Sequence, residues 1–428
     1  MKTYKYSDLS KTDITTLVQR NVDPANEIRQ VVEDIIANVR DNGDAALYSY
    51  AAQFDKVDLD KLYLDGSEIA ELASTVSTEQ KDALKLAYDN IYKFHQTQLK
   101  AEEKVVTMPG VICWRENRPI EKVGLYVPGG SAVLPSTLLM LGIPARIAGC
   151  REIVVCSPPQ KDGKINAFIA FVSTLLGIDK IYLVGGAQAV AAMAYGTESI
   201  SKVDKIFGPG NQFVTKAKTI IQSTTLAAID MPAGPSEVLV IADETSNPIF
   251  IAADLLAQCE HGPDSQAVLV ATSQQIIDNA IAEVEKQIST LPRAEIAAKA
   301  IANSYAIQVD DLSQAIDFSN LYAPEHLILA TENWQQITDK IINAGSVFLG
   351  NLSPESVGDY ASGTNHTLPT SAYAKAYSGV SVDSFLKKIT FQYINKEGII
   401  NIGPAVELLA ELEGLDAHKN AVSVRLNS

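Results

Sequence analysis

The chain has 428 residues but only five histidines, and four of these stand in segments broken by glycine, proline or polar residues. They are Gln-Cys-Glu-His-Gly-Pro-Asp around His261, Ala-Pro-Glu-His around His326, Ser-Gly-Thr-Asn-His around His366 and Asp-Ala-His-Lys-Asn around His418. Breaker-rich loops on a rigid scaffold are where functional groups concentrate. One shared site and four unrelated loop histidines are both open readings of this placement. Gln258 and His261 are three residues apart near a helix end terminated by Gly262-Pro263, so they project from one helix face. A side-chain carbonyl and an imidazole so placed can chelate a borderline cation such as zinc. Asp359, in Gly358-Asp359-Tyr360, and His418 are candidates for the remaining ligands. Glu325 and His326 follow Pro324 at the mouth of an expected strand. Neighbours in a strand point to opposite faces, but at a bent strand end both can approach one pocket, as a general base and a group that activates water. A solvated polar pair is the alternative. The fifth histidine, His95, lies inside an expected helix and reads as a surface or packing residue.

The elements that must position these groups are legible from punctuation. Lys122–Val127, Glu152–Cys156, Lys180–Val184 and Lys205–Phe207 are short β-rich runs, each ending in Gly or Pro and followed by a helical stretch. Their spacing of roughly thirty residues or less is that of a βαβ unit, and it predicts a parallel sheet covered by helices. Val238–Ala242, Ala267–Ala271, His326–Ala330 and Ser346–Leu349 are expected strands of a second α/β unit. Pro248–His261, Ser273–Ser289 and Trp334–Asn343 are its expected helices. Asn26–Ala52 reads as helical, and Ser77 with Gln80 is a capping box opening a helix towards Glu103. Phe385–Ser428 loses the βαβ pattern and reads as an appendage of helix and irregular structure. None of the Gly-rich turns matches G-x-G-x-x-G. The nearest are Pro-Gly-Gly-Ser-Ala from Pro128, Gly-Gly-Ala-Gln-Ala from Gly185 and Gly-Pro-Gly-Asn from Gly208. Turns of this kind leave N–H groups free at helix N-termini, which suits phosphate. Tyr126, Gln188 and Asn211 each lie in or beside one of them.

Thirty-five basic against 51 acidic residues give a net charge of −16, which disfavours nucleic-acid binding. No apolar run is long enough to span a membrane, and the start, MKTYKYSDLS, is not a secretory signal. The four cysteines, Cys113, Cys150, Cys156 and Cys259, form no CxxC pair, which points to reduced thiols and a cytoplasmic location. A thiohemiacetal route through Cys113, Cys150 or Cys259 is a further chemical possibility. Cys150 and Cys156 read instead as buried filler.

Taken in order, these motifs resemble histidinol dehydrogenases along nearly the whole chain. The resemblance is carried by Asp230–Glu237 (Asp-Met-Pro-Ala-Gly-Pro-Ser-Glu), Asp254–Gln266, Ala323-Pro324-Glu325-His326 and Gly358–His366. It implies one zinc per subunit held by Gln258, His261, Asp359 and His418, and a catalytic pair of Glu325 and His326. It also implies substrate contacts from Ser236, His366 and Glu413 in addition to His326 and the zinc ligands, and NAD contacts from Tyr126, Gln188 and Asn211. The implied reaction is the four-electron oxidation of L-histidinol to L-histidine through L-histidinaldehyde. A related zinc- and NAD-dependent dehydrogenase of another amino or sulfonate alcohol is the alternative within the enzyme class, and an acidic ligand-binding protein the alternative outside it. The implied architecture is two Rossmann-like parallel-sheet domains, a helical N-terminal region and a C-terminal dimerisation tail. Residues 1–24 are then an arm, 25–125 with 238–380 the domain of the metal and catalytic residues, 126–237 the NAD domain, and 381–428 a tail exchanged within a homodimer whose active sites are shared.

Overall fold

A computed structural model describes residues 1–20, 26–129, 134–232 and 234–428. Gly130, Ser131 and Ala132 of the first Gly-rich turn, Ala233 of the Asp230–Glu237 motif and residues 21–24 of the arm lie outside the described residues.

The described residues build two six-stranded sheets and one of three strands. The first sheet is parallel throughout, in the order Lys2–Lys5, Tyr305–Gln308, Gln266–Ala271, Glu237–Ala242, His326–Ala330, Ser346–Leu349. Every residue of Glu237–Ala242 is buried. That is why this central strand reads as an unbroken apolar run rather than an alternating one. The second sheet runs Tyr63–Asp65, Lys180–Leu183, Glu152–Ser157, Lys122–Tyr126, Lys205–Phe207, Ala228–Ile229. It is parallel except for its antiparallel edge strand Tyr63–Asp65. In each sheet the order reverses at a central strand, Glu237–Ala242 or Lys122–Tyr126, the arrangement of doubly wound folds.

The expected strands are present to within a residue at each end. Among the described residues seven others carried no readable signal, including Lys2–Lys5 and Tyr305–Gln308, which are completed only by tertiary pairing. The N-terminal helices do not pack as expected. Asn26–Tyr50 lies on Gly186–Tyr195 and Gln212–Thr224, Gly66–Ser74 on Ala167–Leu176, and Thr78–Gln96 on Pro135–Ala148. Residues 26–96 therefore cover the second sheet rather than joining 238–380. The cause is complementary packing: the stripe Val32, Ile36, Val39 and Leu47 meets the alanine-rich surface of Gly186–Tyr195, where small side chains allow close approach. The capping box at Ser77 forms, but its helix stops at Gln96. Trp334–Asn343 is two short 3-10 turns rather than a helix.

The last fifty residues are also more regular than expected. Leu386–Ile394 is a nine-residue strand paired antiparallel with Val111–Pro119, which pairs in turn with Val105–Met108. The helices Lys396–Leu412 and Asp416–Leu426 then pack on each other and leave Leu408, Leu409 and Leu412 exposed.

Candidate active site

The site lies between the two sheets. It takes the amino ends of the first sheet's strands and the carboxyl-edge turns of the second. Parallel pairing sets Val238 opposite His326, so Glu237 and Glu325 precede the pair on neighbouring strands. The turn into Glu325 is made by Ala323, a non-glycine residue at φ 54 that ends helix Leu312–Tyr322. Gly345 lets the next strand come close, because a Cβ there would overlap the carbonyl of Glu325. Gln258 sits near the end of helix Pro248–Cys259 and His261 just after it. Asp359 is on the short helix Glu355–Tyr360.

A cavity of about 100 Å³ is lined by Ser236, Gln258, His261, Glu325, His326, Asp359 and His366, together with Leu134, Ser136, Pro209 and Tyr360. Seven sequence-predicted residues therefore converge. His326 Nδ1 lies 3.3 Å from the carbonyl oxygen of Glu237, 3.7 Å from Glu325 and 3.9 Å from Glu355. Its Nε2 is 3.3 Å from Asp359 Oδ1 and has no hydrogen-bond partner. With Nδ1–H donating to the Glu237 carbonyl, Nε2, beside the Asp359 carboxylate, is the nitrogen left to exchange a proton at the cavity. Burial works against the charged imidazole, but Glu325, Asp359 and Glu355 around it prevail and raise His326 to about 10. Burial raises Glu325 to about 7, with His326 opposing. Asp359 moves the other way: burial opposes its ionisation, yet contact with His326 and the proximity of His366 and His261 hold it below the usual carboxylate range.

The donor set suits a divalent cation on one observation above all. Gln258 is buried, and neither Oε1 nor Nε2 has a hydrogen-bond partner. A buried amide with no partner costs about 1–3 kcal/mol, so an occupant is expected. Among the described residues no three His, Cys, Asp or Glu side chains are grouped closely enough to hold a metal. Within one chain the set is Gln258, His261 and Asp359. Glu413, at the end of helix Lys396–Leu412, and His418, on Asp416–Leu426, are exposed and do not line the cavity.

Tyr126, Gln188 and Asn211 stand at the carboxyl edge of the second sheet. The Tyr126 hydroxyl accepts from the Gly186 amide at 3.1 Å, and burial pushes it up to about 12, so it stays neutral. Asn211 caps helix Gln212–Thr224 through Oδ1, which leaves its amide donors free. Gly208, at φ 129, packs so tightly on Tyr126 that a Cβ would overlap its carbonyl. The helices starting at Pro135 and Gly186 have no side-chain N-cap; Pro135 has no N–H and the Gly186 amide is given to Tyr126, so only the other amides of each first turn could meet an anion.

Reading the sequence missed Glu237, Glu355, Ser136 and Tyr360. Glu355 precedes Asp359 by four residues on one helix face, and Glu237 closes the Asp230–Glu237 motif; both were readable signals. His95 is indeed a packing residue. It is buried and binds Ile91 O and Asn365, which steadies the loop that carries His366. Burial raises the Cys150 and Cys259 thiols to about 11 and about 12, which speaks against a thiolate nucleophile at either.

Comparison with known proteins places the chain in a family. The histidinol dehydrogenase family model matches residues 18–426. A histidinol dehydrogenase of Bacteroides thetaiotaomicron is 55% identical over 428 residues, covering 100% of this chain and 99% of its own. The chloroplastic histidinol dehydrogenase of Arabidopsis thaliana is 54% identical, covering 100% and 91%. The crystal structure of histidinol dehydrogenase from Elizabethkingia anophelis superposes with a TM-score of 0.96 at 53% identity, covering 100% and 98%. With its two doubly wound sheets and its acid–imidazole pair in the cleft between them, the chain belongs to the histidinol dehydrogenase family.

Proposed function

We propose that the protein oxidises L-histidinol through L-histidinaldehyde to L-histidine, the last steps of histidine biosynthesis, using two NAD and one zinc per site. The observation that carries the reading is the His326 imidazole. It is buried beside Glu325, its Nδ1 is turned to a backbone carbonyl, and its Nε2 is unpartnered at the cavity that Gln258, His261, Asp359, Ser236 and His366 line. Gln258, His261, Asp359 and His418 would hold the zinc, which when bound orients the substrate's imidazole and amine. NAD, held by Tyr126, Gln188 and Asn211, supplies the hydride acceptor for both oxidations.

His326 Nε2 takes the hydroxyl proton as the alcohol carbon loses hydride. The enclosed site keeps the aldehyde from solvent. Glu325, raised by burial into the range of a working base, accepts a proton from water as the water adds to the aldehyde. After passing its first proton to solvent, His326 takes the proton of the resulting hydrate in the second oxidation. Ser236, His366 and Glu413 would hold the substrate's amino end. That neither His418 nor Glu413 lines its own chain's cavity supports a homodimer in which each tail would complete the other site. The exposed Leu408, Leu409 and Leu412 are suited to cover by a second copy. Among the described residues no helix is long and apolar enough to cross a membrane, and the four free cysteines suit a cytoplasmic location.

The test is stoichiometry. Two NADH should form per histidinol, be abolished by chelation and return with zinc. Glu325→Gln should impair alcohol-to-acid turnover more than oxidation of the aldehyde hydrate. One NADH per histidinol, or turnover indifferent to chelation, refutes the reading.

A further inference from the structure

Glu237 has no place in the chemistry above, yet it touches both residues that do the chemistry. Its backbone N–H donates to Glu325 Oε2 at 2.9 Å. Its carbonyl oxygen faces His326 Nδ1 at 3.3 Å. The position of this one peptide segment therefore sets the carboxylate's orientation and the imidazole's tautomer together.

The Glu237 side chain is fixed from behind by Arg20, which comes from the N-terminal arm. Arg20 Nε donates to Oε1 at 2.8 Å, and a second guanidinium nitrogen donates to Oε2 at 2.9 Å, a bidentate fork. The same nitrogen reaches the carbonyl of Ala323 at 3.4 Å, the left-handed residue two positions before Glu325. The third donates to Val18 O at 2.8 Å. The guanidinium lies over the Tyr322 ring, 3.8 Å from its centroid. Glu237 Oε1 also accepts from the Ser371 amide at 2.9 Å, which ties in the segment that follows His366. The two side chains are only 9% and 2% exposed.

Burying two charges of this kind is expensive. Replacing such a pair with well-packed apolar residues is often neutral or stabilising. Stability alone is therefore a weak reason for this pair to lie directly behind Glu325 and His326. What only the charged fork supplies is direction: five planar donors fix Glu237 and the Ala323 turn relative to each other.

We propose that Arg20 is a positioning residue for the reaction: through Glu237 and the Ala323 carbonyl it holds the amino ends of two adjacent strands so that Glu325 and His326 keep their working orientation. The inference rests on the catalytic reading of that pair. Arg20 does not touch the cavity, so it acts on rate rather than on affinity for substrate or metal.

The experiment compares Arg20→Ala, Arg20→Lys, Glu325→Gln and His326→Asn in the full-length, zinc-loaded protein, following NADH formation from histidinol. Displacements of an ångström at reacting groups cost on the order of 10²-fold. Arg20→Ala is expected to lose roughly 10- to 100-fold in kcat, with KM for histidinol and zinc content within about twofold of wild type. Arg20→Lys, which keeps the charge without the fork, should recover only part of the loss. Added guanidinium at millimolar concentration should restore turnover to Arg20→Ala and leave His326→Asn unchanged. Loss of kcat in the two site variants, but wild-type kcat in folded Arg20→Ala, overturns the inference alone. Loss of thermal stability in Arg20→Ala with no change in kcat per folded site does the same. Wild-type turnover in Glu325→Gln and His326→Asn overturns the catalytic reading, and the inference with it. If Arg20→Ala does not fold, an Arg20→Lys variant with wild-type kcat and an unaltered pH profile overturns the inference.

Discussion

Replacing Gln258 by Met separates the cost of the site from its use. Gln258 is 1% exposed and has no partner for either side-chain polar atom. Met has similar length, similar helix propensity and nothing to leave unsatisfied. Removing an unpartnered amide from an interior recovers about 1–3 kcal/mol, and about 1 kcal/mol moves Tm by roughly 2–4 °C for a domain of this size. Metal-free Gln258→Met should therefore melt a few degrees above metal-free wild type. Zinc should reverse the order. A ligand at a thousand times its Kd stabilises the native state by about 4 kcal/mol, which wild type gains and the variant, short of one ligand, largely does not. The assay is calorimetry of both proteins after chelation and after zinc addition, with elemental analysis of the same samples. Wild type whose Tm ignores zinc, or a metal-free variant that melts below metal-free wild type, refutes the assignment of Gln258 as a ligand held in readiness.

Burial raises the Asp254 carboxyl from its ordinary 3.8 to about 7. Below pH ~4 it is protonated whether folded or unfolded. As pH rises to 7 the unfolded chain releases this proton first, so stability falls by up to roughly 4 kcal/mol and then levels off. Asp254→Asn should abolish that fall, and its Tm advantage over wild type should grow between pH 5 and pH 8. An advantage constant across this range contradicts the burial argument. Gly345→Ala forces a methyl against the Glu325 carbonyl, with an expected cost of about 1–3 kcal/mol by denaturant titration and a reduced kcat. Mixing Glu325→Gln with His418→Ala, each inactive alone, should restore about a quarter of wild-type activity if tails are exchanged; no restoration after subunit exchange places His418 in its own chain's site.

What could be read in advance, and what could not, divides by the range of the interaction involved. The strands around Val238, Ala267 and His326 announced themselves because two-sided burial forces continuous apolar runs. Gln258, His261, Asp359 and Glu325-His326 could be picked out because chemistry needs unusual side chains beside helix and strand ends. Lys2–Lys5 was invisible because it exists only as the neighbour of Tyr305–Gln308, a four-residue strand that is itself defined by pairing with Gln266–Ala271. Residues 26–96 were assigned to the wrong sheet because an amphipathic stripe states that a helix is covered, not what covers it. Arg20 gave no local sign at all, since its meaning lies in a glutamate 217 positions away.

The two sheets run in opposite senses relative to the cleft, and this sorts electric charge without basic side chains. On one wall two helices finish, Pro248–Cys259 beside Gln258 and Leu312–Tyr322 just ahead of Glu325, so their negative dipole ends suit positive charge. On the other wall three helices begin, at Pro135, Gly186 and Gln212, and their positive dipole ends suit negative charge. Among the described residues no lysine or arginine lines the cavity between them. A chain carrying sixteen excess negative charges thus has one wall suited to positive charge and one suited to negative charge, set by backbone polarity, which no point mutation removes.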